Sequence, residues 1–157
     1  MKAKWLLALP TALLCGGILL VACGGGDSGN SHEHGAERHG NENWEHEASL
    51  ADMPSFLKDF SERTNRLYSL VGKYEDLMKT INCYCGCMEY EDEAHGSLFR
   101  CYVANQTADG VTWTDHSGLC GICTEELEMI DKWSKQGKSD EQIQQLIEQN
   151  FNPNAKA

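Results

Sequence analysis

The apolar positions of this chain follow three rhythms, and each predicts a different kind of structure. Trp5 to Ala22 is almost continuously apolar, with Lys2 and Lys4 ahead of it. From Phe56 onward the rhythm becomes helical. Phe56, Leu57, Phe60, Thr64, Leu67 and Val71 recur at three- and four-residue steps, the signature of an amphipathic helix. Pro54 suits its first turn and Gly72 its end. Leu77, Met78 and Ile81 predict a second short helix from about Tyr74 to Thr80, unless the two are one helix bent near Gly72. After Cys123 the helical rhythm returns. Thr124, Glu125, Glu126 and Glu128 give an acidic first turn, Leu127, Ile130 and Trp133 share a face, and Gly137 ends the segment. Ser139 with Gln142 forms a capping box ahead of the stripe Ile143, Leu146, Ile147 and Phe151, and Pro153 closes it. These stripes read as core.

The third rhythm is irregular and spans Asn82 to Leu119. Glu89 to Glu93 is a charged face or loop, and Leu98 to Val103 suits a short helix or a strand. Asp109-Gly110 is a turn signal and Val111 to Thr114 has strand propensity, so a short hairpin fits here. The fold class expected is mainly α: a small domain of three or four helices around an irregular Cys-rich centre, with room for that hairpin.

The apolar run at the start reads as an address. Leu20-Val21-Ala22-Cys23 matches a bacterial lipobox, in which Cys23 becomes the first residue and carries acyl chains. A plain transmembrane helix fits less well, because the run is near the short limit and contains Pro10, Gly16 and Gly17. Residues 1–22 are therefore expected to be a lipoprotein signal peptide, with Cys15 leaving inside it. Two or more acyl chains on Cys23 would anchor the protein stably to the outer face of a cell membrane. Residues 23–50, rich in glycine, glutamate and His32, His34, His39 and His46, have little to bury and predict a disordered tether. Its mean reach would be about 30 Å. Its histidines suit weak metal binding or a plain solvated spacer. The folded domain is expected at 51–157.

Charge narrows the partners. The chain carries 13 basic and 24 acidic residues, a formal net charge of -11, and its leader holds lysines but no acid. Such a surface disfavours nucleic acid and anionic lipid, and mildly attracts cations. No Ser/His/Asp set, phosphate loop or HExxH is present.

The candidate chemistry lies in the irregular segment. Cys83-Tyr84-Cys85-Gly86-Cys87 is followed by Cys101 and by Cys120-Gly121-Ile122-Cys123, with His95 and His116 between. In an extended segment, alternate side chains share a face, so Cys83, Cys85 and Cys87 can point the same way, and Gly86 lets the backbone curl. Cys120 and Cys123 fall at a predicted helix start, where the terminal field lowers thiol pKa. Six thiols and two imidazoles suit a soft ion, copper(I) or zinc, either as separate four-coordinate sites or as a thiolate-bridged cluster. Asp115 is placed to orient a histidine, and Met88 to add a thioether or to pack. Two other readings stay open. Secretion permits three disulfides, with Cys83, Cys85 and Cys87 paired to Cys101, Cys120 and Cys123, stapling a module that binds an unidentified partner. Cys120 and Cys123 alone would suit a thiol oxidoreductase, though no thioredoxin-like βαβ pattern surrounds them.

Cys83-Tyr84-Cys85-Gly86-Cys87-Met88, His95-Gly96-Ser97-Leu98, Cys101, Asp109-Gly110, Trp113, Asp115-His116 and Cys120-Gly-Ile-Cys123 together resemble the PCYCGC-motif lipoproteins of Gram-positive bacteria. The resemblance runs from about Tyr68 to Phe151. It departs at Asn82, where that motif begins with proline, and no ligand is lost there. It implies a bacterial cell-surface setting and metal binding, and no particular activity.

Overall fold

The computed structural model describes residues 37–86 and 96–156. Its elements are mixed. Strands β1 (Glu37–His39), β2 (Glu42–Glu47), β3 (Val103–Thr107) and β4 (Gly110–Thr114) form an antiparallel sheet in the order β1-β2-β4-β3. The helices are α1 (Glu62–Tyr68), α2 (Glu75–Thr80), α3 (His116–Leu119), α4 (Gly121–Lys135) and α5 (Asp140–Phe151). Short 3-10 turns cover Ser55–Asp59, Phe99–Cys101 and Pro153–Lys156.

The expected mainly helical class is thus corrected to a mixed α/β one, and the cause is residues 37–47. This stretch, assigned above to a disordered tether, forms β1 and β2, with β2 hydrogen-bonded to β4 in the register Trp44↔Thr114. Hydropathy misreads it because its carboxylates go inward. Glu42 and Glu45 are buried, while Trp44 is only half-buried. Glu45 accepts hydrogen bonds from the Ser55 backbone N–H (2.6 Å) and hydroxyl (2.9 Å), which satisfies it and fixes the 3-10 turn that follows. The Trp44 ring stacks on His39 at 3.9 Å between centroids and lies under the Arg100 guanidinium at 5.4 Å.

The hairpin expected at Asp109-Gly110 is present, with Thr107 opposite Gly110 and a register shift between Val103 and Asn105. Gly110 sits at φ +145, and a Cβ there would meet the Glu47 carbonyl of the neighbouring strand, so the close approach of β2 requires glycine. The helix expected from Pro54 to Val71 is divided. The chain is extended at Phe60, and Ser61 then caps α1 by accepting from Thr64 N. A serine N-cap restarts the helix without disturbing the apolar spacing, which is why periodicity alone ran through it. The other helices follow the sequence closely. α2 covers the second short helix, α4 ends before Gly137 at φ +80, and α5 carries the Ser139–Gln142 capping box.

The core sits where α1, α2, α4 and α5 meet the sheet. Leu67, Met78, Ile81, Leu127, Ile130, Ile143 and Ile147 are buried, together with Tyr68, Tyr102 and Trp113. The Tyr68 ring meets Tyr102 edge-on at 5.0 Å and lies 5.7 Å from Trp113. The Tyr68 hydroxyl donates to the Thr114 carbonyl (2.7 Å) and accepts from Ser117 (2.9 Å), and Trp113 Nε1 donates to Asp52 O (3.0 Å). These bonds tie α1 and the loop before it to the end of β4, where the next turn begins. No helix among the described residues is long and apolar enough to cross a membrane.

Candidate metal centre

Three local devices bring the sulfurs together. After α2 the chain is extended at Ile81, and Cys83 and Cys85 project to one side as alternation requires, their Sγ atoms 2.8 Å apart. Gly86, at φ +87, then turns the backbone. The second device is the 3-10 turn at Phe99–Cys101, anchored by Leu98 N donating to Ile81 O (2.8 Å). It sets Cys101 Sγ 3.1 Å from Cys83 Sγ. The third is the start of α4, where Cys120 is the N-cap and Cys123 lies in the first turn, 3.8 Å from Cys83 between sulfurs. The Tyr102 hydroxyl donates to Cys123 O (3.1 Å), joining the second and third devices.

Five cysteines therefore converge, and none of the five forms a disulfide. Their separations exceed the ~2.05 Å of an S–S bond. One sulfur, Cys83, has several sulfur neighbours, a geometry of convergence and not of pairing. Two groups of four donor atoms result, each with all its atoms within 4.8 Å of one another: Cys83, Cys85, Cys101 and Cys123, and Cys85, His116, Cys120 and Cys123. A tetrahedral zinc site with bonds of about 2.3 Å has sulfur–sulfur edges of roughly 3.8 Å, so both groups are compact enough to hold an ion. Cys83, Cys101 and Cys123 are buried, and Cys85 and Cys120 are half-buried. Leu119 and Ile122, on either side of Cys120, are exposed.

Electrostatics prepare the centre for a cation. Hydrogen bonds from Cys101, Cys123 and Cys85 hold the Cys83 thiol well below its ordinary range, and Cys85 is lowered as well, first by Cys101 and then by Cys120. Cys120 is lowered mainly by its hydrogen bond with Cys123. Of the two thiols at the helix start, Cys120 alone is lowered, and the main cause is its neighbouring side chains and not the helix terminus. Cys123 is pushed up, first by Cys101 and Cys120, because thiolates packed together resist a further negative charge. A cation removes that resistance, since metal ligation deprotonates thiols outright.

Among the described residues, His116 is the one histidine in the two donor groups. Its Nε2 lies 3.9 Å from Cys85 Sγ and its Nδ1 lies 3.2 Å from Glu42 Oε1. A carboxylate on the far nitrogen fixes the ring and raises its basicity as a ligand. The expected orienting residue was Asp115. It instead binds Asn43, accepting from the backbone N–H at 2.9 Å and the side-chain amide at 2.5 Å, and so holds β2 against the start of α3. Glu42 is the residue that sequence reasoning missed. It also accepts from Trp44 Nε1 (2.8 Å) and the Thr114 hydroxyl (2.7 Å), and lies 3.6 Å from Arg100 Nη1. Its isolation in a polar stretch gave no signal.

Glu126 was also missed as part of the centre. It is buried one turn into α4 and accepts from Tyr84 N at 3.3 Å. Burial, and after it the negative charge on Cys83, push its carboxyl up to about 9. The adjacent acid is thus neutral at pH 7 and adds no charge to the thiolates.

Of the remaining predicted residues, Cys87, His95 and Met88 lie outside the described residues, as do Cys23, His32 and His34. His39 stacks on Trp44, and His46 Nδ1 lies 3.4 Å from the Thr112 hydroxyl; neither belongs to the two donor groups.

The family described as "Protein of unknown function with PCYCGC motif" matches residues 12–155. No curated protein and no solved structure matches the chain.

Proposed function

Because the chain belongs to the family of proteins of unknown function with the PCYCGC motif, a family defined by a run of thiols, we propose that it is a soft-metal binding protein for copper(I) or zinc. The observation that carries this reading is the convergence of five thiols and one carboxylate-backed imidazole in two compact donor groups. Sulfur donors with borderline nitrogen select thiophilic ions over magnesium or calcium. Cys83, Cys85, Cys101, Cys120, Cys123 and His116 are the proposed ligands, with Cys87 and His95 as further donors on the strength of the motif.

The reading is of a binding protein, serving metal buffering or delivery, and not of an enzyme. The pattern of residues 1–22 and Cys23 supports a lipid-anchored body on the outer face of a bacterial cell membrane, with no nucleic-acid partner.

The test is native mass spectrometry of the reduced full chain in mild detergent, with copper(I) and zinc offered separately and a chelator present as competitor. Retention of either ion is expected. Uptake of neither ion by the folded, reduced chain would overturn the reading.

A further inference from the structure

The two donor groups are not alternatives on opposite sides of the molecule. They share Cys85 and Cys123. Two four-coordinate ions need eight donor positions, and the six described donors of these two groups fill them with Cys85 and Cys123 each used twice. Thiolate sulfur bridges two ions readily, whereas His116 Nε2 has a single lone pair for one ion and Nδ1 faces Glu42. The residues common to both groups are both cysteines, so the sharing falls on the donors able to bridge.

The groups differ in their surroundings. Three of the four sulfurs in the first, Cys83, Cys101 and Cys123, are 2%, 0% and 0% exposed. In the second, Cys85, His116 and Cys120 are all half-buried, and Cys123 alone is enclosed. We propose that the centre binds two ions through bridging Cys85 and Cys123: an inner ion held by Cys83 and Cys101 and retained by the fold, and an outer ion held by His116 and Cys120 and exchangeable with solvent. This rests on the metal-binding reading above and deepens it, because it assigns the cargo to one half of the centre and structural support to the other.

The experiment uses the reduced full chain loaded with zinc alone, and separately with cadmium-113. Native mass spectrometry is expected to show two ions per chain, and a chromophoric chelator to remove them in two phases of one ion each. Cadmium-113 NMR is expected to show two resonances, one from an all-sulfur site and one from a sulfur–nitrogen site, coupled to each other through the shared thiolates. In Cys120→Ser and in His116→Asn, the rapid phase disappears and the stoichiometry falls from two ions to one, with the far-UV and near-UV circular dichroism retained. A chain that binds no ion defeats the metal-binding reading itself. A chain that binds one ion, or two that leave in a single phase, or two uncoupled cadmium resonances, leaves that reading standing and overturns the paired asymmetric centre. Loss of both ions in His116→Asn, with the dichroism unchanged, also overturns it.

Discussion

The α4–α5 end of this molecule and the corner where β2 meets α3 are held by different forces. Along α4 and α5 the stabilising groups are Leu127, Ile130, Ile143 and Ile147, all fully enclosed, with a capping box at Ser139 and exposed Arg63 and Arg66 paired to Glu128. Removing apolar area from water supplies that stability without reference to protonation or to a bound ion. At the other corner the buried groups are Glu42, Asp115, Cys83, Cys101 and Cys123. Polar and ionisable groups are enclosed there at a cost, and only their partners recover it. The contrast teaches that this small domain has one end stable by composition and another whose stability is conditional on its protonation and, on the proposed reading, on a bound cation.

The comparison can be broken most severely at the sulfur common to both donor groups. Cys123→Ser is expected to abolish retention of both ions, and the thermal midpoint of the zinc-treated variant should equal that of its metal-free form; calorimetry with metal analysis checks this. Ile147→Ala probes the opposite end. It should cost about 2–5 kcal/mol in urea unfolding, equally with and without zinc, and leave the metal content unchanged. A metal-dependent cost at Ile147 would show that the two ends are not separable.

Glu42→Gln comes next. It keeps the shape of the side chain and removes the charge behind His116, so zinc affinity should fall about 10–100-fold in a chelator competition while the all-sulfur cadmium resonance stays in place. Glu126→Gln sharpens the comparison from the other direction. An acid whose native pKa is raised to about 9 destabilises the fold as pH climbs from the ordinary carboxylate range toward that value, because the unfolded chain gives up its proton first. The metal-free variant should therefore be more stable than the parent at pH 7, by about 1–3 kcal/mol, and the difference should vanish near pH 4.

The smallest effect belongs to the carboxylates of α4 that are paired with arginine and lysine. Arg63 holds Glu128 below the usual range, and Asp131, which burial alone would raise, is held down by Lys135 and Tyr74. Depressed native values stabilise the fold above the ordinary carboxylate range and lose that contribution as pH falls from that range through the lowered native values. Glu128→Gln should flatten the acid limb of the stability profile by less than about 1 kcal/mol.

The same division explains what could be read in advance. The helices at Glu75–Thr80, Gly121–Lys135 and Asp140–Phe151 were legible because their apolar residues keep a 3.6-residue period and their ends carry recognisable stops. The hairpin at Gly110 was legible from its turn chemistry. The convergence of Cys83, Cys85, Cys101, Cys120 and Cys123 was legible from spacing, since sulfur so concentrated serves packing poorly. The strands at 37–47 were not. Glu42 and Glu45 are inside and His46 is outside, which inverts the expectation that buried faces are apolar. Only the partners reveal why, and those lie far along the chain: Ser55 for Glu45, and Thr114, Arg100 and His116 for Glu42. Asp115 was assigned to the wrong neighbour for the same reason. Adjacency to His116 suggested a bond, whereas the register of β2 beside β4 offered Asn43 first.

That register has a practical consequence for anyone shortening the chain. A recombinant piece starting at residue 51 would keep the clustered sulfurs and all of the described helices, and by composition it would look sufficient. It would also strip β2 from the flank of β4, leaving an open ladder prone to sticking to its own copies, and it would send His116 into the assay without the acid that aims it. Weak or variable metal uptake by such a piece would report on the cut and not on the protein.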